Sequence, residues 1–333
     1  MAKVFFISED NIRSAWLSAL VHVLRDGDDI KTEYDKPQDL PSKDASVLIE
    51  VKKPMSKPIK RGDKILKIRS KFGNSYEVYG AMADTFLIGS IQSGYIEEII
   101  EGTNDHYIWD SDASFPYSYH DRIFNYTPFS LEDTIHIDHD LEIVDNEFVR
   151  SHQKLIRADK IKSTPESHIW KLKNGLEFDL DKQITEQIGI EKFPIGIVNF
   201  PKINQIDYII QKLRKSPYSR RAQAITWRPL VDPYHFDPPC LQRIYMRVKN
   251  EKLIMQTTWR SRDLFRAWEA NVNAMVRIQK LVADKLELEM GHYLDFSNSL
   301  HIYGVNISDV KDMFSRIKNR GEELPDDIND LIQ

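Results

Sequence analysis

Apolar side chains recur at helical spacing in four parts of the chain. In residues 10–26 they fall every three or four positions and stop before Gly27, which predicts an amphipathic helix that ends near that glycine. The same spacing predicts three further helices over residues 84–101, 206–213 and 264–286. The helix at 264–286 has the strongest pattern.

Strand-like patterns appear in two places. Residues 241–248 and 251–259 are strongly β-patterned and are separated by Lys249-Asn250, which predicts a β-hairpin. The apolar patch Val47-Leu48-Ile49 lies between segments rich in proline, lysine and aspartate, so we predict another strand there.

A long stretch between these elements lacks a sustained pattern. Residues 127–202 consist of short polar and apolar pieces interrupted by prolines, which is typical of an insertion or a small subdomain. We therefore divide the chain into an N-terminal part at 1–126, this insertion or small subdomain at 127–202, and a C-terminal core at 203–333.

Composition narrows the class of protein. With 41% hydrophobic and 29% charged residues the chain can bury a large core, and a single cysteine cannot form an internal disulfide. No apolar run approaches the roughly eighteen residues that a membrane span needs, and residues 1–9 are too short a start for a signal peptide, so we expect a cytoplasmic protein. The net charge of −5 argues against general nucleic-acid binding, so any phosphate must be held by a local arginine cluster.

One polar side chain interrupts the apolar stripe of the strongest helix. Asn271 falls between Trp268 and Met275 on the face that the spacing predicts to be buried. A buried amide needs hydrogen-bond partners, which could be a backbone carbonyl, a buried water or the edge of a pyrimidine base. The helix pattern alone leaves these alternatives open.

The single cysteine, Cys240, follows two prolines at the start of the predicted hairpin. Taken alone it could be an inert small hydrophobe or an aimed nucleophile. Guanidinium groups lower the pKa of a nearby thiol and bind phosphate, and arginines flank this region in Ser219-Arg220-Arg221 and Arg260-Ser261. Downstream, His301 and Tyr303 are two residues apart and so project from one face of a strand, where either could reach a sugar hydroxyl.

These motifs together resemble the signature of the thymidylate synthase superfamily, in the family's order and without a gap from Arg220 to Tyr303. The resemblance covers about residues 203–304 and is weaker over 10–126. The matching positions are Ser219-Arg220-Arg221, Trp227, Pro238-Pro239-Cys240, Arg260-Ser261, Asp263, Asn271, His301 and Tyr303.

The resemblance implies a role for each matching residue. Cys240 would be the thiolate that adds to C6 of a pyrimidine nucleoside monophosphate, and 5,10-methylenetetrahydrofolate would carry the one-carbon unit. Arg260 and Ser261 would bind the 5′-phosphate, and Arg260 would also help to keep the thiol ionised. Arg220 and Arg221 would reach the phosphate in the partner subunit's site, which makes a homodimer.

The remaining roles concern the base, the sugar and proton transfer. Asn271 would read the pyrimidine edge, and His301 and Tyr303 would hold the 3′-hydroxyl. Asp263 would anchor the ring and the folate. The family's catalytic glutamate is expected on the helix at 84–101, where Glu98 is the first choice and Glu97 the next, with Glu101 as a third carboxylate.

Other matches to the family are partial. Residues 117–122 resemble a tyrosine-containing turn of the family, with His120 in place of the expected glycine. Lys31, Lys36 and Arg122 are candidates for further phosphate ligands. No metal site is expected, because the metal-like run at 136–140 has no partner cluster to supply a third ligand.

The implied architecture is α+β, with a large twisted mixed sheet flanked by helices and two such sheets packed back to back in the dimer. The implied reaction is the reductive methylation of dUMP to dTMP. Departures from the family, with Leu241 in place of its histidine and Trp259 in place of its glutamine, and a chain that ends 30 residues after Tyr303, favour an alternative, a 5-hydroxymethylase of dUMP, dCMP or CMP. A remoter alternative is a non-catalytic nucleotide- or RNA-binding relative.

Overall fold

The structure is a computed structural model. It describes residues 3–32, 34–58, 60–61, 63–80, 94–108, 117–127, 202–229, 232–234, 237–321 and 328, together with five strands between residues 153 and 199. The first part of the predicted helix at 84–101, the metal-like run at 136–140 and the acidic segment at 322–327 lie outside the described residues.

Short strands and a few long helices alternate along the chain. The helices are α1 (Ile12–Asp26), α2 (Tyr95–Glu101), α3 (Tyr119–Phe124), α4 (Gln205–Lys215), α5 (Trp268–Leu286) and α6 (Ile307–Asn319). The strands are β1 (Val4–Glu9), β2 (Asp28–Ile30), β3 (Ser42–Val51), β4 (Lys60–Arg61), β5 (Lys64–Ile65), β6 (Lys67–Arg69), β7 (Ser75–Glu77), β8 (Gln153–Leu155), β9 (Asp159–Ser163), β10 (Ser167–Lys171), β11 (Glu177–Asp181), β12 (Ile197–Asn199), β13 (Gln223–Ile225), β14 (Leu241–Lys249), β15 (Lys252–Trp259), β16 (Arg262–Asp263) and β17 (Glu289–Ile302).

Eight of these strands form one mixed sheet in the order β1-β3-β17-β15-β14-β13, with β2 paired to β3 and β16 paired to β17. The pairs β1–β3, β15–β17 and β16–β17 are parallel, and the others are antiparallel. Parallel neighbouring strands need a crossover connection. The connection from β1 to β3 contains α1, and the connection from β15 to β17 contains α5. The predicted α+β class, with a large mixed sheet flanked by helices, is confirmed.

The core lies on one face of this sheet. Ile49, Thr257 and Ile244 belong to one row of paired residues, and each is at most 1% exposed because α1, α4 and α5 pack over this face of the sheet. The next row points to the opposite face, where Phe6 of β1 is 65% exposed and its row continues to Phe296 of β17. Within this chain, the second face of the sheet therefore has exposed aromatic surface.

The predicted helices and hairpin form close to their expected positions, with two shifts. The hairpin turn is Asn250-Glu251, one residue later than expected, and both residues take the positive φ that a tight two-residue turn requires. The prediction that the strongest helix begins at Leu264 was wrong. Arg262 and Asp263 pair with β17, the Asp263 carboxylate caps the following turn instead, and α5 begins at Trp268.

Buried amides on α5 fasten the helix to the backbone of other segments of the chain. Asn273 is fully buried, accepts the Tyr79 N–H at 2.9 Å and donates to the Tyr79 carbonyl at 2.6 Å. Gln279 donates to the Leu253 carbonyl at 2.9 Å. These two polar side chains of the buried face therefore bond to backbone groups.

Arg122 is a structural residue. Its side chain is fully buried and forms two hydrogen bonds to Asp232, with Nη2 2.8 Å from Oδ1 and Nη1 3.1 Å from Oδ2. A third bond at 2.8 Å reaches the Thr226 carbonyl. The guanidinium is thus committed inside the protein, which contradicts the expectation that Arg122 is a phosphate ligand. Lys31 and Lys36 are exposed in the loop before β3.

We expect Arg122→Met to lower the free energy of unfolding by about 3–5 kcal/mol, because it leaves the Asp232 carboxylate buried and unpaired. Chemical denaturation monitored by circular dichroism measures the change. Arg214→Met is the matched control, since Arg214 is partly exposed and bonds only to the Lys285 carbonyl among the described contacts, so its loss should cost less than about 1 kcal/mol. Equal losses in the two variants would contradict the structural role of Arg122.

Candidate active site

Three strand ends bring the predicted site residues to one edge of the main sheet. Cys240 precedes β14 and Arg260 follows β15, and the antiparallel register pairs Leu241 with Trp259 beside them. The Arg260 N–H donates to the Cys240 carbonyl at 2.8 Å. Since β15 and β17 are parallel, the last residues of β17 reach the same edge. There, Asp263 of β16 is the strand partner of His301 in the parallel register.

Hydrogen bonds to one tyrosine hydroxyl fix the backbone at Cys240 and at the residue after it. The Tyr119 hydroxyl of α3 accepts the N–H groups of Cys240 at 3.1 Å and Leu241 at 3.2 Å. The cysteine is half-buried, and burial raises the pKa of its thiol above the usual value. The positive charges of Arg260 and, less strongly, Arg262 oppose that rise.

Arg260 braces the loop that carries the cysteine. Its Nη2 donates to the Pro238 carbonyl at 2.5 Å and its Nε to the Pro239 carbonyl at 3.3 Å, while Asp237 lies 3.6 Å away. About one third of the side chain is exposed. The guanidinium therefore reaches solvent beside the thiol, and the half-buried Ser261 follows it directly.

Arg262 is a buried cation beneath this edge that the sequence reasoning missed. It is 3% exposed, pairs with Asp295, donates to Ser297 Oγ at 2.9 Å and lies 4.2 Å over the ring of Trp259. Within the described part of the chain its Nε and Nη1 have no hydrogen-bond partner. The only signal in the sequence was a charged residue at the unassigned position between Ser261 and Asp263.

Among the described residues, the Asn271 side chain bonds to another side chain, whereas its neighbour Asn273 bonds to backbone. The Asn271 Nδ2 donates at 2.5 Å to the hydroxyl of Tyr95, which begins α2. Burial raises the pKa of the Tyr95 hydroxyl well above its usual value, and the nearby Tyr119 and Glu98 raise it further. The sequence reasoning counted Tyr95 only as an apolar position of the helix and missed its hydroxyl.

The carboxylates of α2 occupy different surroundings. Glu98 accepts from Asn104 Nδ2 at 3.2 Å and lies close enough to Tyr95 to raise the pKa of its hydroxyl. Glu97 is 5% exposed with an unpaired Oε2 among the described atoms, and its charge acts on Tyr76. Burial raises the pKa of both carboxyl groups. Glu98 is therefore the carboxylate near the Tyr95–Asn271 pair.

Glu101 lies on the Tyr76 side of the same helix. Its Oε1 accepts a hydrogen bond from the Tyr76 hydroxyl and another from Asn74 at 2.7 Å. This places the third carboxylate in a contact with the β6–β7 hairpin.

His301 and Tyr303 lie together, as their spacing predicted. Their ring centroids are 4.6 Å apart at a steep angle, with His301 in β17 and Tyr303 directly after it. His301 is 5% exposed, and burial lowers its pKa to about 4. Its Nδ1 lies 3.4 Å from Ser299 Oγ, and its buried Nε2 has no hydrogen-bond partner among the described atoms.

Asp263 and Tyr303 connect this pair to the cysteine. Burial raises the pKa of the Tyr303 hydroxyl to about 12, and the nearby Asp263 and Cys240 contribute to the rise. The pKa of Asp263 is also raised by burial, although its Oδ1 accepts the N–H groups of Phe265 at 2.9 Å and Arg266 at 2.8 Å. The cysteine, the carboxylate and the phenol therefore share one electrostatic environment.

Arg220 and Arg221 are the predicted site residues that stand apart. Both are exposed in the loop between α4 and β13, where the Arg221 N–H donates to Ser219 Oγ at 3.2 Å. Within the described residues, neither side chain contacts another predicted site residue. The described residues also contain no group of three or more potential metal-ligating side chains.

Comparison with known proteins points to one family. The family model described as thymidylate synthase matches residues 127–327. A protein of Methanothermobacter marburgensis named "Putative thymidylate synthase" is 33% identical over 117 residues, which are 35% of this chain and 51% of that protein. The chain thus spans about half the length of that relative.

Two further proteins extend the comparison. The thymidylate synthase of Bacillus atrophaeus is 28% identical over 171 residues, covering 47% of this chain and 75% of that protein. The crystal structure of thymidylate synthase from T4 phage is similar over 38% of this chain and 47% of that chain, with a TM-score of 0.32 and 23% identity.

No helix in the described part of the chain combines the length and apolar character needed to cross a bilayer.

The resemblance inferred from the sequence is confirmed by the family model, whose match covers more than half of the 333 residues. The chain belongs to the thymidylate synthase family.

Proposed function

We propose that this chain transfers a one-carbon unit to C5 of dUMP and reduces it, forming dTMP. The observation that carries the proposal is the set of side chains around the only cysteine. Cys240 lies at a sheet edge with Arg260 beside it, while Asn271 and His301 have buried polar atoms in the same region. A nucleophile, a phosphate ligand and donors and acceptors for base and sugar are what a nucleotide C5 transferase requires.

Cys240 would begin the reaction as a thiolate that adds to C6 of the pyrimidine. The addition makes C5 nucleophilic, so that C5 can receive the one-carbon unit. Because burial raises the pKa of the thiol, the ionised form depends on the charges of Arg260 and Arg262. Tyr119 fixes the peptide N–H groups on both sides of the nucleophile and so limits its movement.

Glu98 would organise proton transfer at the base. Burial raises the pKa of its carboxyl group, which brings the group closer to the range in which it can both hold and release a proton. It is also the carboxylate of α2 nearest to Tyr95 and hence to Asn271. We therefore keep Glu98 as the first choice and Glu97 as the second.

The nucleotide would bind through three groups of side chains. Arg260, which is partly exposed beside the thiol, would hold the 5′-phosphate together with Ser261. Asn271 would pair with N3–H and O4 of uracil. Neutral His301 would hold the 3′-hydroxyl with Tyr303, since its Nε2 is buried without a partner among the described atoms.

The residues at the site are compatible with 5,10-methylenetetrahydrofolate. Asp263 uses Oδ1 for the two backbone N–H groups of the capped turn, so Oδ2 is the atom that would accept an N–H of a pterin ring. When bound, this cofactor supplies the one-carbon unit and the hydride.

We also propose a homodimer in which two main sheets pack back to back. The face opposite the core has exposed Val4 and Phe6, which a second copy would cover. Arg220 and Arg221 are exposed and contact none of the described site residues of their own chain, which suits a role in the partner's phosphate site.

The direct test incubates the protein with methylenetetrahydrofolate and dUMP, dCMP, UMP or CMP, and identifies the nucleotide products by mass spectrometry. We expect a 5-methyl product from dUMP, together with dihydrofolate. Cys240→Ala should still bind dUMP but form no product, because it lacks the atom that adds to C6.

Other products would change the proposal. A 5-hydroxymethyl nucleotide without dihydrofolate would establish the hydroxymethylase alternative, which the buried Trp259 in place of the family's glutamine favours. Absence of any product, with Cys240→Ala indistinguishable from the parent protein, would favour a non-catalytic nucleotide-binding relative.

Shared active sites predict complementation between inactive variants. Arg221→Ala and Cys240→Ala should each be nearly inactive as homodimers. After unfolding and refolding together in equal amounts, they should regain about one quarter of the parent activity, since half of the dimers are mixed and each mixed dimer has one intact site of two. No regain, with mixed dimers demonstrated by native mass spectrometry, would show that Arg221 acts within its own subunit.

His301 predicts a loss of stability in acid. Its folded-state pKa of about 4 lies below the ordinary value of 6.5. Its contribution to the free energy of unfolding is therefore complete above pH 6.5 and is lost as the pH falls through 4. Relative to His301→Asn, the parent protein should lose up to about 3 kcal/mol of unfolding free energy over this range. Denaturant titrations at several pH values measure the difference, and parallel pH profiles for the two proteins would contradict a buried neutral imidazole.

A further inference from the structure

The base-reading amide is held by a side chain that can change hydrogen-bond direction. Asn271 is 6% exposed and donates from Nδ2 to the Tyr95 hydroxyl at 2.5 Å. Two residues along the helix, Asn273 bonds instead to a backbone N–H and two backbone carbonyls, which fix its orientation. A phenol hydroxyl can accept from Nδ2 or donate to Oδ1, so it permits both amide orientations unless its own proton is directed elsewhere.

The two amide orientations suit different bases. Uracil offers a donor at N3 and an acceptor at O4, whereas cytosine offers an acceptor at N3 and a donor at N4. An amide that pairs with one of these edges must turn over to pair with the other. Whatever fixes the orientation of Asn271 therefore also determines which base the site accepts.

The surroundings of Tyr95 favour one direction for its proton. Tyr119 and Glu98, the latter one turn further along the same helix, both act electrostatically on the Tyr95 hydroxyl, and the positive charge of Arg262 acts in the opposite sense and repels the hydroxyl proton. A nearby carboxylate attracts the hydroxyl proton toward itself, so the oxygen lone pair is left for Asn271 Nδ2. The observed donation from Asn271 to Tyr95 is the direction that this charge favours.

We propose that Tyr95 is a positioning residue that holds the Asn271 amide in one orientation and thereby makes the site select a 4-oxo over a 4-amino pyrimidine. The inference rests on the proposed function, in which Asn271 reads the base. The ring and the hydroxyl of Tyr95 have separable roles, because the ring packs against the hydrophobic core while the hydroxyl bonds to the amide.

Tyr95→Phe removes the hydroxyl and keeps the ring. The measurement is isothermal titration of dUMP and of dCMP in the absence of folate, so that it reports binding independently of turnover. We expect the parent protein to prefer dUMP, and Tyr95→Phe to reduce the ratio of the two affinities by about tenfold, mainly through weaker dUMP binding. Tyr76→Phe is the matched control, since its hydroxyl bonds to Glu101 rather than to Asn271, and it should keep the parent ratio.

A second variant covers the case in which Tyr95→Phe fails to fold. Glu98→Gln keeps Tyr95 but removes the charge that directs its proton, so the affinity ratio should fall in the same direction. An unchanged ratio in a folded Tyr95→Phe protein, or in Glu98→Gln, would overturn the proposal.

The same titrations separate this inference from the proposed function. If the parent protein prefers dCMP, the selection of a 4-oxo pyrimidine and the dUMP assignment both fail, whatever the ratio in Tyr95→Phe. If the parent prefers dUMP and a folded Tyr95→Phe or Glu98→Gln protein keeps its ratio, the dUMP assignment stands and the positioning role fails. If the parent binds neither nucleotide, both fail.

Discussion

The register of three neighbouring strands determines where the nucleophile Cys240, the phosphate ligand Arg260 and the sugar ligand His301 lie. The antiparallel pairing of β14 with β15 places Cys240 and Arg260 side by side, because one precedes the hairpin and the other follows it. The parallel pairing of β15 and β16 with β17 then brings His301 to the same edge. A shift of one residue in any of these pairings would turn the site side chains to the opposite face of the sheet. The long crossover helix α5 carries Asn271, so the connection that permits the parallel pairing also supplies a site residue.

A buried polar network supports this edge from within the core. Trp259 donates to Thr257, Thr257 bonds to Tyr293 at 2.6 Å, and Tyr293 donates to Asp295 at 2.8 Å, which in turn pairs with Arg262. Such a buried ion pair is seldom a net source of stability, because both charges lose their hydration. Its position gives it another effect, since the Arg262 charge lowers the pKa of the Cys240 thiol that burial raises. The partly exposed Arg260 and the buried Arg262 thus both act as positive charges on the nucleophile.

Much of this arrangement could be predicted from the sequence. The hairpin, α1, α4 and most of α5 follow from apolar periodicity, and the spacing of His301 and Tyr303 correctly placed the two rings together. The start of α5 was missed because the pairing of Arg262 and Asp263 with β17 competes with their inclusion in the helix. Periodicity records only local preference, and it cannot anticipate that kind of tertiary contact.

The site contacts that the sequence did not indicate share a physical reason. Tyr95 contacts Asn271 across 176 positions of sequence, and Tyr119 reaches Cys240 across 121. In a periodic pattern a tyrosine counts as apolar, although its hydroxyl can be the part that matters in the folded protein. The prediction for Arg122 was wrong for the same reason, because nothing in the local sequence indicates that it forms a buried ion pair with Asp232. Long-range polar contacts are therefore the part of the site that the sequence left undetermined.

In the proposed reaction the Sγ atom of Cys240 bonds to the pyrimidine. The intact mass of the protein after incubation with 5-fluoro-dUMP and methylenetetrahydrofolate tests this bond, since fluorine at C5 cannot leave as the proton does and the covalent complex should persist. We expect a mass increase of one nucleotide and one folate for each chain, located on the peptide that contains the only cysteine, and none in Cys240→Ala. No mass increase in the parent protein, or an equal increase in Cys240→Ala, would show that Cys240 is not the nucleophile.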